Sequence, residues 1–485
     1  MLAYGSGAVA YGVKDLGFST FLLLFYNQVI GLPSAQVGFA IMCALLLDAF
    51  IDPAIGFLSD RTRGRWGRRH PWMYASAAPI AIGWVLLWNP PALSDTAMLV
   101  WVFATAVIVR TAVSAYEVPS QALSAELSAD YDERTRIMAY RYLFGWGGGM
   151  GMMILAYGWF LAAGPGQEHG QLDRAGYPGF ALAGAVVIVA AILISALGTH
   201  REIARLPKQD IVRQSAGDNF RELIETVRNR AFATLMVAGL CYYSAQGISF
   251  ALSNYLYAHV WLFPSGAYQL LALVLFAGVA VAFFAGPAVA RRTGKPLAAM
   301  GFMLGAAFFL TLPYWLRLAG LFPAPGDATL LPLLFSIFWL NIICSVSSTM
   351  LGASMMADVV EDSEMQTGRR SEGVFFAGAF FIMKCTSGLG IFAAGTILAL
   401  ADFPAAATPG TVPETIIDRL TLLFIGSYLV LALGAAWFYR KFPFGKAEHL
   451  ARVAALAERG DGDQMAVARE AMDRRKDALS RLADQ

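Results

Sequence analysis

About a dozen apolar runs of roughly 20 to 28 residues follow one another along the chain, each sufficient for the ~20 residues that a bilayer-spanning helix requires. A soluble core cannot absorb that pattern. Within lipid every backbone N–H and C=O must be satisfied inside its own segment, so runs of this length are expected to be helical. Composition agrees: of 485 residues, 57% are hydrophobic and only 14% are charged, and the mean hydropathy is +0.55. The expected fold class is an all-α membrane protein with twelve transmembrane helices, near 6–31, 36–59, 72–91, 97–122, 138–163, 178–198, 231–260, 266–290, 297–316, 329–356, 374–400 and 418–440.

Orientation follows from the basic residues, which are retained on the cytoplasmic side. Every second connection is basic: Arg61, Arg63, Arg65, Arg68 and Arg69; Arg134 and Arg136; the 199–230 stretch; Arg291, Arg292 and Lys295; Arg369 and Arg370. The alternate connections hold only Arg174, Arg317 and Arg419. Both termini are therefore expected in the cytoplasm of a multi-pass cell-membrane protein. The long polar stretch 199–230 is read as a cytoplasmic linker between an N-terminal six-helix bundle, 1–198, and a C-terminal one, 231–440. Residues 441–485 read as a charged cytoplasmic tail with a surface helix broken near Gly460 and Gly462. No basic segment precedes the first apolar run, which exceeds the length of a signal peptide's apolar core and reads as a permanent helix.

Several functions lack their parts. A net charge of +2, with the basic residues in short loops, gives no footprint for nucleic acid. Cys43, Cys241, Cys344 and Cys385 stand singly inside apolar runs and read as small core residues. The histidines do not cluster, and neither a zinc-helix motif nor a phosphate loop occurs. No cofactor is expected, nor any obligate protein partner.

The two halves repeat. Gly56 through Asp60 and Arg61 after the second run answers Gly286 through Ala290 and Arg291 after the eighth; Ala125-Glu126 through Asp130 after the fourth answers Ala357-Asp358 through Asp362 after the tenth. An ionisable residue at membrane depth costs about 2.5–3.5 kcal/mol on insertion scales and so points to function. Those within the runs are Lys14, Asp15, Asp48, Asp52, Arg110, Glu117, Arg141 and Lys384. Structural ion pairing is the plain alternative for each. The repeat weighs against it, because Asp48 and Asp52 map onto Gly278 and Ala282, Glu117 onto Thr349 and Arg110 onto Ile342. The charges are therefore not needed for packing, and an asymmetric site built mostly on the first half is expected. Asp48 and Asp52, four apart, share a helix face and can present two carboxylates to one cation; Arg110, Ser114 and Glu117 share a face of the fourth helix. Such a cluster would bind Na⁺ or share a proton.

The stretch from Asp48 through Asp52-Pro53, Gly56, Asp60 and the arginines to Pro71, preceded by Lys14-Asp15, resembles the glycoside–pentoside–hexuronide:cation symporters of the major facilitator superfamily. Glu117-Val-Pro119, Asp130 through Arg134, Met356-Ala-Asp358 through Asp362, Gly368 through Gly373 and Lys384 extend the likeness from the first helix to the eleventh, in the family's order. The resemblance implies a melibiose-carrier-like secondary transporter that moves a sugar, glycoside or hexuronide with Na⁺ or H⁺. It places Asp48, Asp52, Glu117 and Ser114 at the cation, and Lys14, Asp15, Glu117 and Arg141 at sugar hydroxyls, with Lys384 facing the cation carboxylates. Two departures stand out. Ile51 replaces an asparagine of sodium-using members, and Gln121 and Thr349 stand where melibiose carriers have tryptophans, removing the stacking platform for a galactosyl ring. Gln121 can instead hydrogen-bond a different sugar or a uronate, and Tyr243 in a polar-aromatic stretch is a candidate lining residue. Asp60, Arg61, Arg134, Asp358 and Asp362 are candidate gate residues at the basic connections. The glycines from Gly145 to Gly151, and Gly388 with Gly390, are expected at close helix crossings.

Two other readings compete. The same superfamily branch includes lysolipid carriers, whose headgroup would use Lys384 and Arg141. A polytopic membrane enzyme would use Asp48 and Asp52 as an acid/base pair, but the chain has no recognisable nucleophile, metal set or donor-binding motif.

Overall fold

The computed structural model describes residues 2–127, 131–163, 170–205, 229–367 and 372–443, and all regular structure among them is helical. The first half contains α1 (Leu2–Ser6), α2 (Ala8–Leu16), α3 (Ser34–Arg61), α4 (His70–Trp88), α5 (Asp95–Leu127), α6 (Tyr131–Leu155) and α7 (Tyr177–His200). The second contains α8 (Arg230–Tyr255), α9 (Ser265–Thr293), α10 (Lys295–Leu318), α11 (Leu330–Thr367), α12 (Glu372–Leu400) and α13 (Glu414–Arg440). Among the described residues, nine segments are long and apolar enough to cross a membrane by length and composition. Large exposed side chains such as Phe284, Val430 and Leu182 coat their outer faces, as hydrocarbon rather than water requires.

The halves pack alike. In the first, α3 and α4 each pack on α5, α2 on α6 and α4 on α7; in the second, α9 and α10 each pack on α11, α8 on α12 and α10 on α13. Glycines make close crossings here, as the sequence predicts for Gly148, Gly149, Gly388 and Gly390, although Gly147 and Gly151 of the same run face open space. A Cβ on Gly149 of α6 would stand 2.8 Å from the Gly12 carbonyl oxygen of α2, and one on Gly390 of α12 would stand 2.6 Å from the Ser244 carbonyl oxygen of α8. Only a residue without a side chain admits another backbone so near.

Two differences from the expected helix positions have physical causes. The first apolar run is not one α-helix: it breaks at Gly7, and beyond α2 it winds into π-helical turns over Gly17–Leu22 and Phe25–Val29. Ala156–Phe160 after α6 and Leu256–Val260 after α8 do the same. Apolar periodicity cannot reveal such a change of winding, which is a single-turn insertion found often at functional places. The second difference is length: α11 runs to Thr367, past the apolar limit near 356, because hydrophobicity marks the end of the membrane and not the end of the helix.

The halves meet along α3 and α12, and at the molecule's end formed by the π-helical turns. There Tyr255 donates to Asn27 Oδ1 at 2.9 Å, Asn254 Nδ2 to the Thr20 carbonyl at 3.1 Å, Tyr157 to Asn254 Oδ1 at 2.8 Å, and Gln28 Nε2 to the Pro404 carbonyl at 3.1 Å. The Ala407 N–H donates to Gln28 Oε1 at 2.9 Å and the Ser34 hydroxyl to the Gly395 carbonyl at 3.0 Å. Most of the linker, from 206 to 228, and the tail from 444 onward lie outside the described residues.

Candidate functional site

Three helices deliver one buried knot of charge. Asp48 comes from the middle of α3, Arg110 and Ser114 from α5, and Lys384 from α12 of the other half. Arg110 donates to Asp48 Oδ2 through both Nε, at 3.1 Å, and Nη2, at 2.8 Å. Ser114, one turn along α5, donates to Asp48 Oδ1 at 2.9 Å, and Lys384 Nζ reaches Asp48 Oδ2 at 3.0 Å. The Asp48 side chain is 3% exposed and that of Arg110 4%. Burial this deep is tolerable only because the charges are paired and hydrogen-bonded. Lys384 also grips Asp52 Oδ2, while Asp52 Oδ1 is buried with no partner. The i, i+4 spacing does put both aspartates on one face of α3, and the cation they share here is the Lys384 ammonium.

A second knot lies along α5. Arg141 of α6 forms an ion pair with Glu117, its Nη2 2.5 Å from Oε1. Its Nη1 donates to Ser120 Oγ at 2.9 Å and to the Tyr4 hydroxyl at 3.2 Å. Tyr4 in turn donates to the Ser120 carbonyl at 2.6 Å, and Gln121 Nε2 to Glu117 Oε1 at 2.9 Å. Glu117 Oε2 is buried without a partner. Glu117 therefore makes these contacts with Arg141 and Gln121 and stands apart from the two aspartates in hydrogen-bonding terms.

Lys14 and Asp15 of α2 sit between the knots. Their side chains approach to 3.4 Å, Lys14 buried and Asp15 46% exposed. Lys14 lies within electrostatic reach of Arg110, Asp48 and Lys384, and also of Glu117. Its ammonium rests over the Tyr11 ring, 4.3 Å from the centroid, and Tyr11 itself is within reach of Asp15, Glu117, Arg110 and Asp48. Sequence reasoning assigned no role to Tyr4, Tyr11 or Ser120. The available signal was periodic: positions 4, 11 and 15 repeat on one helix face, but tyrosines in an apolar run read first as packing. Arg110 was singled out as costly at depth without its partner being identifiable.

Tyr243 of α8 is half-buried, its ring 5.2 Å from that of Tyr242, and it lies within reach of Tyr142 on α6 across the halves. The Tyr242 hydroxyl is bonded to Thr349 and, at 3.2 Å, to Ser345 Oγ. Thr349, the counterpart of Glu117, is thus occupied by a second-half hydrogen bond.

The gate candidates are paired locally. Asp60 meets Arg69 at 2.5 Å across the 62–69 loop, and Arg69 Nη1 donates to Ser59 Oγ at 3.0 Å. Arg61 stacks on Phe57, 3.6 Å from the ring centroid. In the second half Lys295 meets Asp358 at 2.6 Å, joining α10 to α11. Each of these pairs closes within one half. The side chains of Arg134 and Asp362 lie outside the described residues.

Chemically, the arrangement brings together four acidic and four basic groups, one of which, Lys384, comes from the second half. It has donors and acceptors for a hydroxylated ligand and carboxylates that a cation can visit.

Residues 3–446 match the family described as MFS/sugar transport protein. An uncharacterised symporter of Synechocystis sp. is 27% identical over 83% of this chain and 86% of its own length. The isoprimeverose transporter of Lactiplantibacillus pentosus is 25% identical over 80% of this chain and 77% of its own. Among solved structures, the inward-open conformation of the xylose transporter XylE from Escherichia coli superposes with a TM-score of 0.61 at 13% identity, covering 94% of this chain and 98% of that one. At that identity the likeness speaks for the fold.

Proposed function

Because the chain belongs to the MFS/sugar transport protein family, and is a multi-pass membrane transporter rather than an enzyme, we propose that it carries a sugar, glycoside or hexuronide together with a coupling cation, Na⁺ or H⁺, by alternating access. In this reading the chain crosses the membrane twelve times with both termini cytoplasmic, functions as a monomer, and keeps its linker and tail in the cytoplasm. Asp48, Asp52, Glu117 and Ser114 form the cation-responsive part. Lys14, Asp15, Glu117, Gln121, Arg141, Lys384 and Tyr243 face the sugar. Asp60, Arg61, Arg134, Asp358 and Asp362 belong to the cytoplasmic gate.

One observation carries the proposal: Lys384 of the second half is bonded to both Asp48 and Asp52 of the first. An ion pair that spans the two bundles cannot ignore their rocking. Any change in the charge of either carboxylate changes the free energy of the state in which the bundles approach there, and a substrate that prefers one state is thereby linked to the cation, reciprocally. Glycosides fit the rest of the site because hydroxyls accept from Arg141 and Lys14 and donate to Asp15 and Glu117. The relatives' named cargo, isoprimeverose in one case, is of the same chemical kind.

The test is uptake of a radiolabelled panel of mono- and disaccharides and uronides into energised vesicles. Asp48→Asn and Asp52→Asn are each expected to abolish accumulation while the purified variants remain folded. Full accumulation by both would overturn the assignment, and no uptake of any of these compounds by the unmodified chain would overturn the substrate class.

A further inference from the structure

The Asp48 knot is poorly suited to sodium, which binds through oxygen lone pairs and has to displace whatever already occupies them. Asp48 Oδ2 already accepts from Arg110 Nε, Arg110 Nη2 and Lys384 Nζ, and Oδ1 accepts from the Ser114 hydroxyl. Ser114 spends its proton on the carboxylate. Arg110 is buried and tethered to α5, it presents a fixed fork, and a guanidinium does not deprotonate under ordinary conditions. Its aromatic floor, Phe18, lies 5.5 Å from the guanidinium carbon and makes a favourable cation–π contact with it. Three residues further along α3, Ile51 supplies no oxygen where an asparagine would have supplied one.

We propose that Arg110 is a resident cation that fills the sodium position at Asp48, so that this carrier is sodium-independent and takes its coupling proton on Asp52. The inference rests on the symport reading above and names its ion. Asp52 is the carboxylate left open. Its Oδ2 is held by Lys384 and its Oδ1 is buried without a partner, and a buried acceptor with no donor is a place for a proton to bind. Its charged partner is Lys384 from α12; Lys384 and Arg110 from α5 both pair with Asp48, one turn away on α3, and Lys14 of α2, beside Asp15, is in turn within electrostatic reach of Arg110, Asp48 and Lys384. Protonation at Oδ1 neutralises Asp52 and weakens its hold on Lys384, whose ammonium retains Asp48. The charge that joins the halves then falls from two carboxylates to one. Sodium plays no part in that exchange, because the place it would need is permanently filled by a group that moves only with its helix.

The experiment measures equilibrium binding of ²²Na⁺ to the purified full chain in detergent, with potassium or choline as the balancing cation. The unmodified protein is expected to bind no saturable sodium up to about 100 mM, and its melting temperature to be the same in sodium and choline, since a ligand that binds the native state raises stability. Arg110→Ala is expected to acquire a saturable sodium site; Arg110→Gln, which keeps most of the bulk, replaces it should the alanine variant not fold. Saturable sodium binding by the unmodified chain overturns the proposal, as does a folded Arg110 variant that still binds none. Neither result depends on the sugar, so sodium binding would overturn the inference and leave sugar symport standing, whereas failure of sugar uptake would leave this measurement intact.

Discussion

The contact between α3 and α5 in the first half and that between α9 and α11 in the second are the same helix pairing built with opposite chemistry. Asp48, Arg110 and Ser114 make the first; their counterparts by the repeat are Gly278, Ile342 and Val346. At the second contact a Cβ placed on Gly278 would collide with the Ile342 side chain and sit 3.1 Å from Trp339. One contact is an ion pair with a hydroxyl donor, the other a glycine filled by an isoleucine. Since the fold makes this crossing without charge in one half, the charge in the other exists for something besides packing. The cost of each buried ion, several kcal/mol before pairing, was met on one side only, the side on which the proposed site lies.

The sharpest way to break the comparison is to remove one ion and leave its partners. Asp48→Ala leaves Arg110 and Lys384 facing one another in low dielectric, and unfolding measured by thermal denaturation in detergent should show a loss of about 3–5 kcal/mol. Transplanting the second half's solution, Asp48→Gly with Arg110→Ile and Ser114→Val, should recover nearly all of that loss while leaving accumulation of sugar at zero. A triple variant as unstable as the single one would mean that the ions do pack the fold. Smaller is the effect at the second knot, where Tyr4→Phe removes a hydroxyl that donates to the Ser120 carbonyl and accepts from Arg141; about 1 kcal/mol of stability should go, by the same assay. Smallest is Asp60→Asn. With the carboxylate 57% exposed opposite Arg69, its loss should register no more than about 1 kcal/mol, whereas Asp358→Asn, at a carboxylate 8% exposed and bonded to Lys295, should cost more.

The helices were legible from the apolar runs because membrane depth and hydrophobic length measure the same thing. So were the glycine crossings, since small residues at helical spacing have few other uses in lipid. The identities of the costly residues were legible too: Asp48, Asp52, Glu117, Arg141 and Lys384 all take part in ion pairs between helices. Their pairing was not. Spacing along α3 predicts that Asp48 and Asp52 look the same way, but it says nothing about whether a free ion or the Lys384 ammonium stands opposite. Nor does it say that Glu117, only three residues from Ser114, turns to Arg141 instead. Partner choice is set by how α2, α5, α6 and α12 converge, and convergence is a property of the assembled bundle. The π-helical turns escaped for a related reason: their sequences, GFSTFL and FYNQV among them, carry no pattern that sets them apart from the rest of the apolar runs, and the wider winding depends on how neighbouring helices pack.

Those turns carry a mechanical consequence. The end of the molecule they form is fastened by individual hydrogen bonds, Tyr255 to Asn27, Asn254 to Thr20 and Gln28 to Pro404 and Ala407, and not by fused apolar surface alone. Water can take over such bonds one at a time, each at a net expense of only about 0.5–1.5 kcal/mol. Swinging a two-position equilibrium from 1:99 to 99:1 takes about 5.5 kcal/mol, the same scale as this handful of bonds. The fastening is therefore built as a zip and not as a weld: it can come undone in small steps, none of them forbidding, and a bound small molecule decides which way it runs when its affinities for the two arrangements differ by that amount.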